Sequence, residues 1–335
     1  MPPLDLAPLT HGGDLGAARK LFPGAPEPFL DLSTGINPNP YPLPQLPAEA
    51  FTKLPQLESL ARLLAIAADA YGAASPQHVV AAPGSQILMT QLAALTTPGR
   101  AAVLGPTYAE HARAAELAGR EVLEMSDVER LGDAALVVAV NPNNPDGRVL
   151  AKSDLLSLAD RLRRRGGLLV VDEAFMEAGP EGESLANKVG RGNIVVLRSF
   201  GKFYGLPGLR LSFALAAPAI TERLAAALGP WPVSGAALAI GGKALADHAW
   251  KAGARVSLAA AARRLDALLV GAGLEFIGGT TLFRLVRTPE AEKMFRRLGE
   301  QGVLVRHFHR QPDWLRFGLP GNEEAWPRLS AALSS

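Results

Sequence analysis

The sequence predicts an α/β protein, with a mainly parallel sheet sandwiched by helices in a large domain and a smaller α+β domain after it. Three observations carry this. Short apolar runs alternate with helix-periodic stretches through the middle of the chain. The runs lack in–out alternation, as expected of strands buried on both faces of a sheet. Polar and glycine-rich turns follow the runs at the carboxyl ends, where open parallel sheets gather ligands.

The elements follow in order. Residues 1–45 are rich in Pro and Gly, most densely at Asn37-Pro38-Asn39-Pro40-Tyr41-Pro42, and are expected to be extended. From Gln56 the spacing of Leu57, Leu60, Leu63 and Leu64 predicts a helix. Strands are expected over 78–82, 101–105, 134–140, 168–171, 193–197 and 211–215, with no antiparallel hairpins among them. The cationic run Arg161 to Arg165 reads as a solvated helix end. After Trp231-Pro232 the chain turns Ala-rich and helical to about Gly271, followed by short strands over 281–286 and 302–306. The expected division is an N-terminal segment 1–45, a large domain 46–230 and a small domain 231–335.

Composition narrows the function. Apolar residues make up 48% and charged residues 20% of the 335, a folded globular profile. Lys and Arg number 34 against 32 Asp and Glu, so no broad field draws in nucleic acid or an anionic membrane, and neither is expected as a partner. There is no cysteine, which removes disulfide and thiolate chemistry. No signal-like opening and no apolar run of about 18 residues is present, so a cytoplasmic protein is expected.

Four strand ends carry chemistry. After Ala82, Pro83-Gly84-Ser85-Gln86 opens a helix, an arrangement of backbone N–H groups and a hydroxyl that suits a phosphate and equally an ordinary cap. After Val140, Asn141-Pro142-Asn143-Asn144-Pro145-Asp146-Gly147 is a stiff turn that can hold an Asn side chain at the sheet edge. Asp172 leaves an apolar run directly, where a carboxylate needs a cationic partner or donors, whether for catalysis or for structure. Lys202 lies just past another apolar strand, in Ser199-Phe200-Gly201-Lys202, and Arg210 starts the next strand, where it can reach a phosphate. Pyridoxal phosphate uses all four, since it needs an amine for its aldehyde, a carboxylate at its ring nitrogen, a donor to its phenolic oxygen and an anchored phosphate.

The order and spacing of Asn-Pro-Asn-Asn-Pro-x-Gly, Asp-Glu-Ala-Phe, Ser-Phe-Gly-Lys and Gly-Leu-x-Gly-Leu-Arg resemble the class I/II aminotransferases. The resemblance implies the fold type I architecture of pyridoxal-phosphate enzymes. It implies covalent attachment of the cofactor to Lys202, pairing of Asp172 with the ring nitrogen, donation by Asn144 to the phenolic oxygen, and stacking by Tyr108. Gly84, Ser85, Ser199 and Arg210 would hold the cofactor phosphate, Gln86 would also bind the cofactor, and Arg316, in Leu315-Arg316-Phe317-Gly318, would hold the substrate carboxylate. A homodimer is implied in the same way.

The opening His11-Gly12-Gly13-Asp14, with Asp31-Leu32-Ser33-Thr34-Gly35-Ile36-Asn37-Pro38, resembles the threonine-phosphate decarboxylases of cobalamin biosynthesis. That likeness places His11, Gly12, Asn37, Asn144 and Arg306 at a small phosphorylated amino acid. His11 also reads as a solvent-facing terminal residue, and His307 and His309 as a partly exposed strand rather than metal ligands, so no metal is assigned. Phe175 stands where many class I/II relatives carry a Tyr, and Leu54-Pro55 where they often carry Tyr-Pro. The expected reaction is decarboxylation of O-phospho-L-threonine to (R)-1-aminopropan-2-yl phosphate. The alternative is a histidinol-phosphate-like aminotransferase. A nucleotide-binding regulator using Gly205 to Gly208 fails, because no Gly-x-Gly-x-x-Gly series follows a first strand.

Overall fold

The structure, a computed structural model, describes residues 11–128 and 134–334. The chain forms two compact units, one of Pro40–Gly253 and the other of Met1–Asn39 with Ala254–Ser335.

The N-terminal stretch is not extended throughout. Asp14 caps a helix over Leu15–Leu21 by accepting from Ala17 N at 2.8 Å, and the helix buries Ala18 with Phe22 just beyond it. The signal was an Asp cap ahead of apolar residues at helical spacing, and the surrounding Pro and Gly obscured it. A short strand β1 (Leu30–Asp31) follows.

In the Pro40–Gly253 unit, helix Leu57–Tyr71 precedes seven strands. They are β2 (Val79–Ala82), β3 (Ala101–Leu104), β4 (Val122–Met125), β5 (Leu136–Val140), β6 (Leu168–Asp172), β7 (Ile194–Ser199) and β8 (Ser212–Leu215). They pair in the order β2-β8-β7-β6-β5-β3-β4. All pairs from β7 to β4 are parallel, while β8 runs antiparallel to both its neighbours. Its first residue, Ser212, stands opposite both Ala82 and Ser199, the last residues of β2 and β7. The chain turning into β8 is therefore delivered to the edge where the other strands end. Strand β4 was not expected. Its partly exposed residues and Glu124 mark an edge strand, which apolar-run reading misses.

The interior explains the continuous apolar runs. Leu136, Val138, Leu168, Val170, Val195, Leu197 and Ala214 join Leu88, Leu92 and Ala115 in one core. The alternate residues, among them Val137, Ala139, Leu169, Val171 and Val196, are equally buried on the other face. By this alternation Asp172 projects in phase with Leu168 and Val170, whereas Glu173 follows the phase of Val171.

Helices Gly235–Ala246 and His248–Gly271 lead out of this unit. Then come β9 (Glu275–Thr280), β10 (Phe283–Arg287), β11 (Val303–Leu304), β12 (Arg306–Phe308) and β13 (Gln311–Gly318). An antiparallel sheet has the order β12-β13-β10-β9, and β11 pairs in parallel with β1. This ties Met1–Asn39 to the C-terminal stretch as one unit. Helix Ala291–Glu300 packs there through Phe295, whose ring meets Phe22 edge-on at 5.5 Å. Among the described residues, no helix is long and apolar enough to cross a membrane.

Candidate active site

The carboxyl edge of the large sheet gathers the residues singled out between Gly84 and Arg210. Gly84 ends the turn after β2 with φ at +94° and opens helix Ser85–Leu95, so the first-turn N–H groups at Ser85 face no capping side chain. A Cβ at Gly84 would collide with the guanidinium of Arg210. Arg210 itself has φ at +51°, the only positive value among described non-glycine residues. A left-handed backbone outside glycine costs about 1–3 kcal/mol and marks a position held for a purpose. Here it brings a cation onto a helix N-terminus, a pairing that repels itself until an anion lies between them. Gln86, in the first turn, donates to Glu110 at 2.9 Å, so its side chain is engaged beside the cradle.

The Asn-rich turn after β5 is closed by its own amides. Asn141 accepts from Leu150 N at 2.9 Å. Asn143 accepts from Thr107 Oγ1 at 2.6 Å and donates to Asp146 at 2.8 Å. Asn144 is half-buried between the loop-closing Asn143 and Pro145.

Asp172, at the end of β6, is buried. Its Oδ1 accepts from Ala174 N at 3.0 Å, and its Oδ2 stands 2.8 Å from Nε2 of His111, which is buried as well. The partner that a carboxylate at this position requires is thus a histidine from helix Glu110–Leu117. Sequence reading passed over His111. Its one signal was its place one helical turn after Tyr108, and the two rings meet edge-on at 6.1 Å.

Ser199 closes β7, and Lys202 lies in the single helical turn Phe200–Phe203 that follows. Its Nζ stands 5.8 Å above the ring of the buried Phe175. An aromatic face, not a hydroxyl, is presented to the amine from that position.

The second unit gathers the other predicted residues. His11, Gly12 and Arg306 line one cleft with Ser33, His307 and His309. Gly12 packs so closely that a Cβ would collide with the Ser33 carbonyl oxygen, and Gly13 N donates to Ser33 Oγ at 2.8 Å. Arg316 is buried and donates to the Ser33 carbonyl at 2.9 Å. Arg306 and Arg316 are direct cross-strand partners in β12 and β13. Burial, with the nearby Arg306, pulls the Arg316 guanidinium down to about 9, against a smaller opposing pull from Asp31. Asn37 is buried too, and its Oδ1 accepts from Asn39 N at 2.9 Å in a local turn.

An anion cradle, a buried carboxylate and an amine at one α/β sheet edge define a class. Residues 46–333 match the model of the aminotransferase class I and II family, and the chain belongs to that family. Within it, the chain is 45% identical to a threonine-phosphate decarboxylase of Sinorhizobium sp over 98% of both chains. It is 43% identical to a threonine-phosphate decarboxylase of Pseudomonas aeruginosa over 97% of both. The fold is similar to that of a histidinol-phosphate aminotransferase from Sinorhizobium meliloti in complex with pyridoxal 5′-phosphate, with a TM-score of 0.84 at 20% identity, over 95% of this chain and 93% of that one.

Proposed function

We propose that this protein is a pyridoxal 5′-phosphate-dependent carboxy-lyase. Its reaction converts O-phospho-L-threonine to (R)-1-aminopropan-2-yl phosphate and carbon dioxide, for the aminopropanol arm of cobalamin biosynthesis. Near-full-length identity of 45% and 43% to two threonine-phosphate decarboxylases carries the reading.

The residues fit the cofactor. Gly84 leaves to Arg210 the space that a Cβ would fill, which suits a phosphate beside Ser85 and Ser199. Asp172, held by His111 and Ala174 N, offers a fixed negative charge for a protonated ring nitrogen. Asn144 supplies the donor for the phenolic oxygen and Tyr108 an aromatic face. When bound, pyridoxal phosphate supplies an electron sink for the pair released as a bond to the substrate Cα breaks. Lys202 Nζ would hold the cofactor at rest and would return a proton to Cα in the place that carbon dioxide leaves.

Two anionic groups on the substrate match two arginines. Like charges directly opposite on neighbouring strands destabilise one another, and burial of Arg316 adds to this. A phosphate and a carboxylate relieve both, and Arg is the side chain suited to forked contacts with either. His11 and Gly12 line one cleft with Arg306.

The enzyme works in the cytoplasm as a homodimer. The face that a second copy covers carries Leu54, Leu57 and Trp231, which are 61%, 70% and 54% exposed. The deciding experiment incubates the cofactor-loaded protein with O-phospho-L-threonine and no keto acid. Carbon dioxide and aminopropanol phosphate are expected in equal amounts over many turnovers. Absence of both, with amino transfer from histidinol phosphate to 2-oxoglutarate, would replace this reading with an aminotransferase.

A further inference from the structure

Behind the strand ends that carry Asp172 and Lys202 lies a second polar cluster, on the opposite face of the sheet. Glu173 follows Asp172 directly, and its N–H donates to Leu197 O at 2.9 Å. Arg198 is the next residue of β7 and precedes Ser199. Their side chains pair at 2.9 Å with 5% and 0% exposure, so the contact bolts the end of β6 to the end of β7. Glu177 stands 3.4 Å from the other arm of the same guanidinium, and it too is buried. Tyr71 covers the group, with Arg198 4.9 Å from its ring centroid.

Two carboxyls share one guanidinium here, the Tyr71 hydroxyl faces Glu177, and the Tyr204 hydroxyl lies beside that of Tyr71. Fully ionised, the cluster would carry an uncompensated buried negative charge, which the interior does not tolerate. One proton makes it neutral. The donors say where it sits. Glu173 accepts from Ser184 Oγ at 2.6 Å, from Leu185 N at 2.7 Å and from Arg198 at 2.9 Å, a full set for a carboxylate. Glu177 has the Tyr71 hydroxyl and its own backbone N–H beside it, and it holds Arg198 only at the longer distance of 3.4 Å, so the tighter ion pair belongs to Glu173. Burial pushes both carboxyls above their ordinary range.

We propose that Glu177 carries a proton in the working enzyme and acts, through the Arg198–Glu173 pair, as a positioning residue that fixes the Asp172 and Lys202 strand ends relative to each other. Loss of that proton places a net charge behind the two strand ends and loosens their pairing. The proposal rests on reading Asp172 and Lys202 as cofactor residues.

The test compares holoenzyme of the wild type and of Glu177→Gln, which keeps an uncharged, hydrogen-bonding side chain. In the wild type, kcat should fall and the absorbance of the lysine-bound cofactor should shift together on an alkaline limb. In Glu177→Gln that limb should vanish from both, with kcat at neutral pH within about threefold of wild type and loss beyond tenfold only in Glu173→Gln. Infrared spectroscopy of the wild type at neutral pH should show a protonated buried carboxyl that Glu177→Gln lacks, a readout independent of activity. An unchanged alkaline limb in Glu177→Gln, or no such infrared band in the wild type, would overturn the proposal. A wild type that forms no lysine-bound cofactor at all would instead overturn the reading of the site on which it rests.

Discussion

At the scale of single residues, the fate of Asp172 shows what a sequence declares and what it conceals. An acidic residue leaving an apolar strand announces that a partner exists, because an unpartnered buried carboxylate costs too much. It does not say who the partner is, since His111 lies on another element and meets it only through the fold. Replacing His111 by Phe leaves Asp172 short of one partner. The expected loss is about 1–3 kcal/mol of stability, measured by denaturant unfolding, with weakened cofactor binding measured by equilibrium dialysis. The Arg306–Arg316 pair makes a prediction of opposite sign. Arg306→Met removes one of two facing cations, so the substrate-free protein should gain about 0.2–1 kcal/mol, read in the same unfolding assay. The KM for O-phospho-L-threonine should rise more than about tenfold, the equivalent of one charge-assisted contact. Loss of stability together with an unchanged KM would remove Arg306 from substrate binding.

Among elements, the buried strands were legible and the edges were not. Residues 168–171 and 193–197 declare themselves because a strand covered on both faces must be apolar throughout. Strand β4 carries Glu124 and strand β13 opens on Gln311, Pro312 and Asp313, and neither was expected as a strand, since the pattern that marks a strand fades where residues meet water. The direction of β8 was equally hidden, because its apolar run is the same either way along. Helix Leu15–Leu21 was visible only in its cap, and its docking depends on a small partner. A Cβ on Gly299 would strike the tip of the Phe22 ring at three adjacent atoms, so Gly299→Ala should destabilise by about 1–3 kcal/mol. Thermal melting of the holoenzyme checks it. If the variant melts with the wild type, helix Leu15–Leu21 is not anchored through Phe22.

At the scale of the whole molecule, the α/β class followed from the apolar runs and the expected cofactor constellation from the residues at their ends, whereas the union of Met1–Asn39 with Ala254–Ser335 was not legible. Pro and Gly describe how a segment bends, not where it docks. The proposed dimer makes the prediction that belongs at this scale. Trp231→Glu places a charge in the apolar face, and sedimentation velocity should then show single copies where the wild type shows pairs. The pairing of Leu30 with Val303 carries a further consequence for how the protein is made. Translation delivers β1 long before β11. A ribosome that stops short releases a chain able to close the large sheet, while its first strand still waits for a partner that was never synthesised. His11 and Arg306 line one cleft only once synthesis has passed β12, so the cleft cannot form until both stretches of its unit have been made.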